Sequence, residues 1–325
     1  MRLILVRHGE SASNRAEDAR LLAERRGTNS AAEPETGKGS NGDTYLTENG
    51  HAQVEAFGRY WAPILRDAAS KGKLRVVCSP MRRNLQTAAP LLRELAHLGA
   101  PVTATVRWGN FECMGIVHPA DSHIREKLAD LADDHTGQTA LLKETRWTPA
   151  GQSPKEMVDE FPHIDTSELP GRVDVGWYSA GPEDSKAMLR RFKEMADWVE
   201  ELRDSTDPND IVLCVTHGDM QNRLLNILLA RHMGLPDLKP GPAPAGSYDT
   251  FAAAQTYVAM DPGSNTSVTM VTLNTPGTTQ GDGIAAPGFQ IEFMHRLDHL
   301  GPDTEPDTLV RKIYTLELPK LLHWS

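Results

Sequence analysis

Leu3-Ile4-Leu5-Val6-Arg7-His8-Gly9-Glu10-Ser11 is the stretch on which the reading of this chain turns. Four aliphatic residues without alternation predict a short strand covered on both faces. The strand delivers a cation, an imidazole and a glycine to its carboxyl end, and Gly9 lets the backbone come close to a ligand. The same arrangement occurs twice more. Arg75 to Cys78 predicts a second strand, followed by Ser79-Pro80-Met81-Arg82-Arg83. Ile211 to Val215 predicts a third, closed by Thr216-His217-Gly218. Each polar cluster stands where a predicted strand stops, which is where ligands bind in open α/β sheets.

Helical patterns separate these strands. Thr47 is a candidate N-cap for a helix carrying Phe57, Trp61, Ile64, Leu65 and Ala68 on one face. Met81, Leu85, Ala88, Leu92 and Leu95 mark another, with Pro90 implying a kink or break. Met188, Leu189, Phe192, Met195, Val199 and Leu202 mark a third, and Leu224, Leu225, Ile227 and Leu228 a fourth. Asp207-Pro208-Asn209-Asp210 predicts a turn, and Ser267 to Leu273 and Phe289 to Phe293 predict later strands. Residues 27–42 read as a flexible loop, 239–246 as a stiff link, and 113–182 as the least regular stretch. Strands alternating with helices give an α/β layered fold.

Composition narrows the function. The chain has 325 residues, 39% hydrophobic and 24% charged, enough for a large core. With 34 Lys and Arg against 44 Asp and Glu, the formal charge is −10, which argues against a nucleic-acid partner. The three cysteines, Cys78, Cys113 and Cys214, lack C-x-x-C spacing and read as reduced thiols, the first and last buried in strands. No apolar run is long enough for a signal peptide or a membrane span, so the expectation is a cytoplasmic protein without a membrane partner. His118, His123, His135 and His163 show no ligand spacing, so no metal is expected, and no cofactor.

Arg7-His8-Gly9-Glu10-Ser11, with Asn14 beyond it, closely resembles the opening signature of the histidine phosphatase superfamily, the phosphoglycerate-mutase-like proteins of branch 1. Asp43-x-x-Leu46-Thr47-x-x-Gly50-x-x-Gln53 resembles that family's second block, and Ser79-Pro80-Met81-Arg82-Arg83-Asn84-Leu85-Gln86-Thr87-Ala88 its third. Asn110-Phe111-Glu112, with Gly115 after it, resembles the acid-bearing segment, and Val215-Thr216-His217-Gly218 the second histidine motif. Asn265 to Thr269 and Leu297 to Leu300 resemble its last two strands, and all these blocks stand in family order.

The resemblance implies a three-layer α/β/α sandwich with a mostly parallel central sheet. It implies one catalytic domain over 1–300, with insertions near 15–42 and 113–185, the latter a cap over the site. It also implies roles. His8 is the nucleophile; Arg7, Arg83 and His217 form the phosphate cradle; Glu112 is general acid and then base. Asn14, Ser11 and Gly9 bind substrate. Read on their own side chains, Glu10 and Ser11 orient the loop instead, and Arg82 beside Arg83 is a solvated helix residue. Guanidinium forks match phosphate oxygens, and their cations keep His8 neutral and able to attack phosphorus.

The implied activity is phosphatase, on a phosphorylated small molecule or alternatively a phosphopeptide. A mutase-like phosphotransferase is the first alternative, weakened because Cys113-Met114-Gly115 replaces the Arg-His-Tyr-Gly-like run of true mutases. A non-catalytic phosphate-binding protein on the same fold is the second. Trp147, Trp177, Tyr178 and Arg172 in the cap are specificity candidates. The extension 301–325 carries apolar residues from Leu309 to Leu322 and would pack on the core or on a second copy in a homodimer.

Overall fold

The computed structural model describes residues 1–25, 43–107, 151–169, 185–235, 265–275, 277–279 and 287–300. Its strands are β1 (Arg2–Arg7), β2 (Leu74–Cys78), β3 (Ala104–Val106), β4 (Ile164–Asp165), β5 (Ile211–Thr216), β6 (Val268–Leu273) and β7 (Phe289–Arg296). They form one sheet in the order β4-β3-β2-β5-β1-β6-β7. The five strands from β4 to β1 are parallel; β6 runs antiparallel to β1, and β7 to β6. The helices are α1 (Ala12–Arg25), α2 (Glu48–Ser70), α3 (Arg82–His97), α4 (Pro154–Glu160), α5 (Ser185–Ser205) and α6 (Gly218–His232).

The unalternated apolar strands are explained by two cores. Along β1, Ile4 and Val6 face the core beneath α2 and α3, while Leu3 and Leu5 face the one beneath α5 and α6. In β5, Leu213 and Val215 join the first and Val212 and Cys214 the second. Successive side chains of a strand point to opposite faces, so a sheet covered twice needs apolar residues at every position. This is the expected three-layer sandwich. Phe57 and Leu85 are fully buried on one side and Phe192 is 1% exposed on the other. Burying each such side chain contributes roughly 1.5–3 kcal/mol.

Three expectations need correction. The helix bearing Pro90 is neither broken nor ended there: α3 runs from Arg82 to His97. Proline is tolerated because the tightly packed core, with Leu85, Leu91, Leu92 and Leu95 buried, outweighs one lost backbone bond. Part of the stretch read as irregular is regular. Ser153 caps α4 in a reciprocal box with Glu156, and Pro154 opens the helix. Arg82 is half-buried rather than freely solvated; its guanidinium lies 4.1 Å from the Tyr45 ring centroid and pairs with Glu160.

Cys78 and Cys214 are buried free thiols, as expected. Burial, helped by neighbouring Cys214, pushes the Cys78 thiol well up, which leaves it unreactive. No helix among the described residues is long and apolar enough to cross a membrane. Cys113, the residues 113–150, the link at 239–246 and the tail at 301–325 lie outside the described residues.

Candidate active site

Three strand ends meet because β5 lies between β1 and β2. The His8 amide donates to Thr216 O at 3.0 Å and the Ser79 amide to Val215 O at 3.0 Å, so all three chains leave the sheet at one level. His8 follows β1 directly. His217 is the residue between β5 and α6, and Arg83 is in the first turn of α3. Helices α3 and α6 both begin here, and their amino-terminal ends favour an anion.

His8 is 2% exposed, Arg83 5% and His217 fully buried. The rings of His8 and His217 meet edge to face, centroids 5.2 Å apart. His8 Nδ1 lies 2.8 Å from the Gly9 carbonyl, which can only accept, so the ring proton is on Nδ1. Arg83 Nε donates to His8 Nε2 at 3.2 Å, so that nitrogen presents its lone pair. Arg83 Nη2 lies 3.3 Å from His217 Nδ1, and a guanidinium only donates, so this nitrogen also presents a lone pair. His217 Nε2 lies 2.9 Å from Ser79 Oγ. The two imidazoles are thus held in opposite tautomers, with both lone pairs turned toward one guanidinium.

The electrostatics agree. Burial, then Arg83 and Arg7, holds His8 well below the ordinary imidazole range. Burial, then Arg83, His8, Arg7 and Arg191, does the same to His217. Both rings are neutral at pH 7 and sit in positive potential, an arrangement suited to a dianionic group.

The loop after His8 is held from several sides. The Gly9 amide donates to Thr87 Oγ1 at 3.0 Å, and the Glu10 amide to Gln53 Oε1 at 2.9 Å. The Glu10 carboxylate receives Thr47, Asn49 Nδ2 at 3.2 Å and Arg15 at 2.8 Å. A Cβ on Gly9 would stand 2.7 Å from Val54 Cγ1, and one on Gly50 only 2.0 Å from the Glu10 carbonyl. Glycine at both positions lets α2 press directly on the loop. From the other side, the Thr266 amide donates to the His8 carbonyl at 3.2 Å, and Thr266 Oγ1 meets His299 Nε2 at 3.0 Å.

Of the residues expected from the sequence, His8, Arg83 and His217 converge, and Arg7 acts electrostatically on both rings. Gly9 and Ser11 are engaged within the protein, Ser11 donating to Asn14 Oδ1 at 2.8 Å and fully buried. Asn14 is half-buried beside it. Glu112, Trp147, Arg172, Trp177 and Tyr178 lie outside the described residues.

The model of the histidine phosphatase superfamily (branch 1) matches residues 3–161. Residues 3–161 of this chain carry that superfamily's sequence pattern. The matched part includes Arg7, His8 and Arg83, and the sheet brings His217 to them from beyond it. No curated protein matches in sequence. Similar solved structures include a phosphoserine phosphatase mutant from Entamoeba histolytica in complex with phosphoserine, at 15% identity and TM-score 0.40, covering 92% of this chain and 99% of that one. The ecdysone phosphate phosphatase of Bombix mori, in complex with tungstate, has 15% identity and TM-score 0.41, covering 88% and 93%. A mycobacterial glucosyl-3-phosphoglycerate phosphatase has 16% identity and TM-score 0.37, covering 90% and 98%.

Sequence reasoning missed Arg191, 5% exposed on α5, whose charge reaches His217. Its signal was an arginine set among Met188, Leu189, Phe192 and Met195, on the apolar stripe rather than opposite it. Asp43 opens the second block, with no sign in the sequence of a capping role; its Oδ1 accepts the Arg82 amide at 2.7 Å and caps α3, because Met81 at the N-cap makes no side-chain bond.

Proposed function

We propose that this chain is a phosphatase of the histidine phosphatase superfamily that hydrolyses a phosphate monoester through a phosphohistidine formed on Nε2 of His8. One observation carries the reading: His8 is neutral, its proton committed to the Gly9 carbonyl and its Nε2 lone pair directed into a cationic cradle. A monoester entering the cradle draws the Arg83 guanidinium onto its oxygens and uncovers that lone pair. Nε2 then attacks phosphorus in line, and the phosphorus–oxygen bond to the leaving group breaks. Arg7, Arg83 and His217, with Asn14, stabilise charge on the equatorial oxygens. The positive charge that forms on the ring is held by the Nδ1–H bond to Gly9 O.

Glu112 protonates the leaving oxygen and then, as carboxylate, takes a proton from water. The water oxygen bonds to phosphorus as the bond to Nε2 breaks, which frees phosphate and regenerates His8. In this reading Gly9 and Ser11 position the loop, and substrate contact falls to the cradle. The substrate class is a phosphorylated small molecule, with a phosphopeptide as the other candidate.

A radiolabelled aryl phosphate, mixed with the protein and quenched in alkali, tests this. Label should remain on the protein, be lost in acid, be absent from His8→Ala, and leave the wild-type protein as inorganic phosphate. Hydrolysis without labelled protein would exclude the covalent route. Label passed to an added alcohol rather than to water would make the protein a phosphotransferase.

A further inference from the structure

Ser79 is fully buried at the end of β2, and its hydroxyl is held from two sides. The Met81 amide donates to Oγ at 3.3 Å, and His217 Nε2 lies 2.9 Å away. Since Arg83 Nη2 occupies Nδ1, a neutral His217 carries its proton on Nε2 and donates it to Ser79. A hydroxyl that only needed a partner could rotate toward any nearby carbonyl. This one is presented to the ring as an acceptor.

We propose that Ser79 is a positioning residue: by accepting the Nε2 proton of His217, its hydroxyl keeps the Nδ1 lone pair facing the phosphate cradle. The inference rests on the phosphatase reading above and deepens it. When a monoester monoanion binds, its P–OH proton moves to Nδ1, leaving a dianionic phosphoryl group beside an imidazolium with both nitrogens hydrogen-bonded. His217 is therefore neutral while the cradle is empty and becomes a cation when the anion arrives. Without the serine acceptor the ring is free to carry its proton on Nδ1. It then meets phosphate as a neutral donor whose remaining lone pair points into the core, where no cation is gained.

Nitrogen NMR of the imidazole rings in the intact protein tests the tautomer directly. His217 should hold its proton on Nε2 without ligand, and inorganic phosphate should add one at Nδ1. Ser79→Ala should mix the two tautomers, lower kcat toward an aryl phosphate by roughly 10-fold or more with little change in KM, and shift the pH profile. Ser79→Thr, which restores the hydroxyl, should recover most of the loss. A wild-type His217 protonated on Nδ1 without ligand, or a Ser79→Ala protein with an unchanged tautomer and kcat, would overturn the proposal. Should Ser79→Ala not fold, the phosphate titration of the wild-type rings still decides. A wild-type protein that hydrolyses no monoester would count against the phosphatase reading, while the NMR result would still judge Ser79.

Discussion

At the scale of single residues, the charge state of two imidazoles determines what the site can do. The proposed attack requires a lone pair on His8 Nε2, and burial plus two guanidinium groups keep its proton affinity low enough for that at neutral pH. His8→Ala removes the nitrogen proposed to attack phosphorus but opens only a small space in a polar site. Turnover is expected to fall by on the order of 10⁴-fold or more, with the circular dichroism spectrum and melting temperature nearly unchanged. Turnover within a factor of ten of wild type would rule out the phosphohistidine. Arg83 bonds to both rings, so Arg83→Ala should do two things. Inhibition by inorganic phosphate should weaken about 10–100-fold through loss of charged hydrogen bonds, and turnover should fall with it. An unchanged inhibition constant would put the phosphate pocket elsewhere.

At the scale of elements, the site depends on how closely α2 approaches the loop after β1. Thr47 caps α2 by accepting the Gly50 amide at 3.0 Å and also donates to Glu10, so one hydroxyl joins helix and loop. Gly50 lies against the Glu10 carbonyl with no room for a methyl group. Gly50→Ala must therefore push the loop off the helix, at a cost of about 1–3 kcal/mol. A lower urea midpoint is expected together with a fall in kcat, because the displaced loop carries His8. Full activity with an unchanged midpoint would mean that this contact does not position His8.

At the scale of the whole molecule, buried neutral histidines couple stability to pH. His299, where β7 returns the chain to Thr266, is lowered by burial to about 4 from an ordinary value of 6.5. His8 and His217 are lowered in the same direction. The unfolded chain therefore binds more protons than the native one as pH falls below 6.5, and stability declines with pH in that window. His299 alone accounts for about 3 kcal/mol between pH 6.5 and 4. The melting temperature should accordingly be lower at pH 5 than at pH 7.5, before acid protonation of most carboxylates contributes. A flat profile across that range would mean that these rings are charged in the native state.

The sequence by itself determined which segments are buried strands and which polar residues stand at their ends. Strand burial is written locally, in unbroken aliphatic runs such as Leu3 to Val6, and a motif such as Arg7-His8-Gly9 is local too. The second block was also legible as a block, though not as a brace. That Gln53 and Thr87 hold the Gly9–Glu10 backbone follows only from α2 and α3 packing on one face of the sheet. Helix α4 was legible in principle, through the Ser153-Pro154-x-Glu156 box, but is too short to show an apolar period. Only the tertiary structure decided that β5 enters between β1 and β2, bringing His217 to His8 across more than two hundred residues. It also decided the two opposed tautomers, because where an imidazole keeps its proton depends on partners supplied by distant segments. No local pattern encodes those partners.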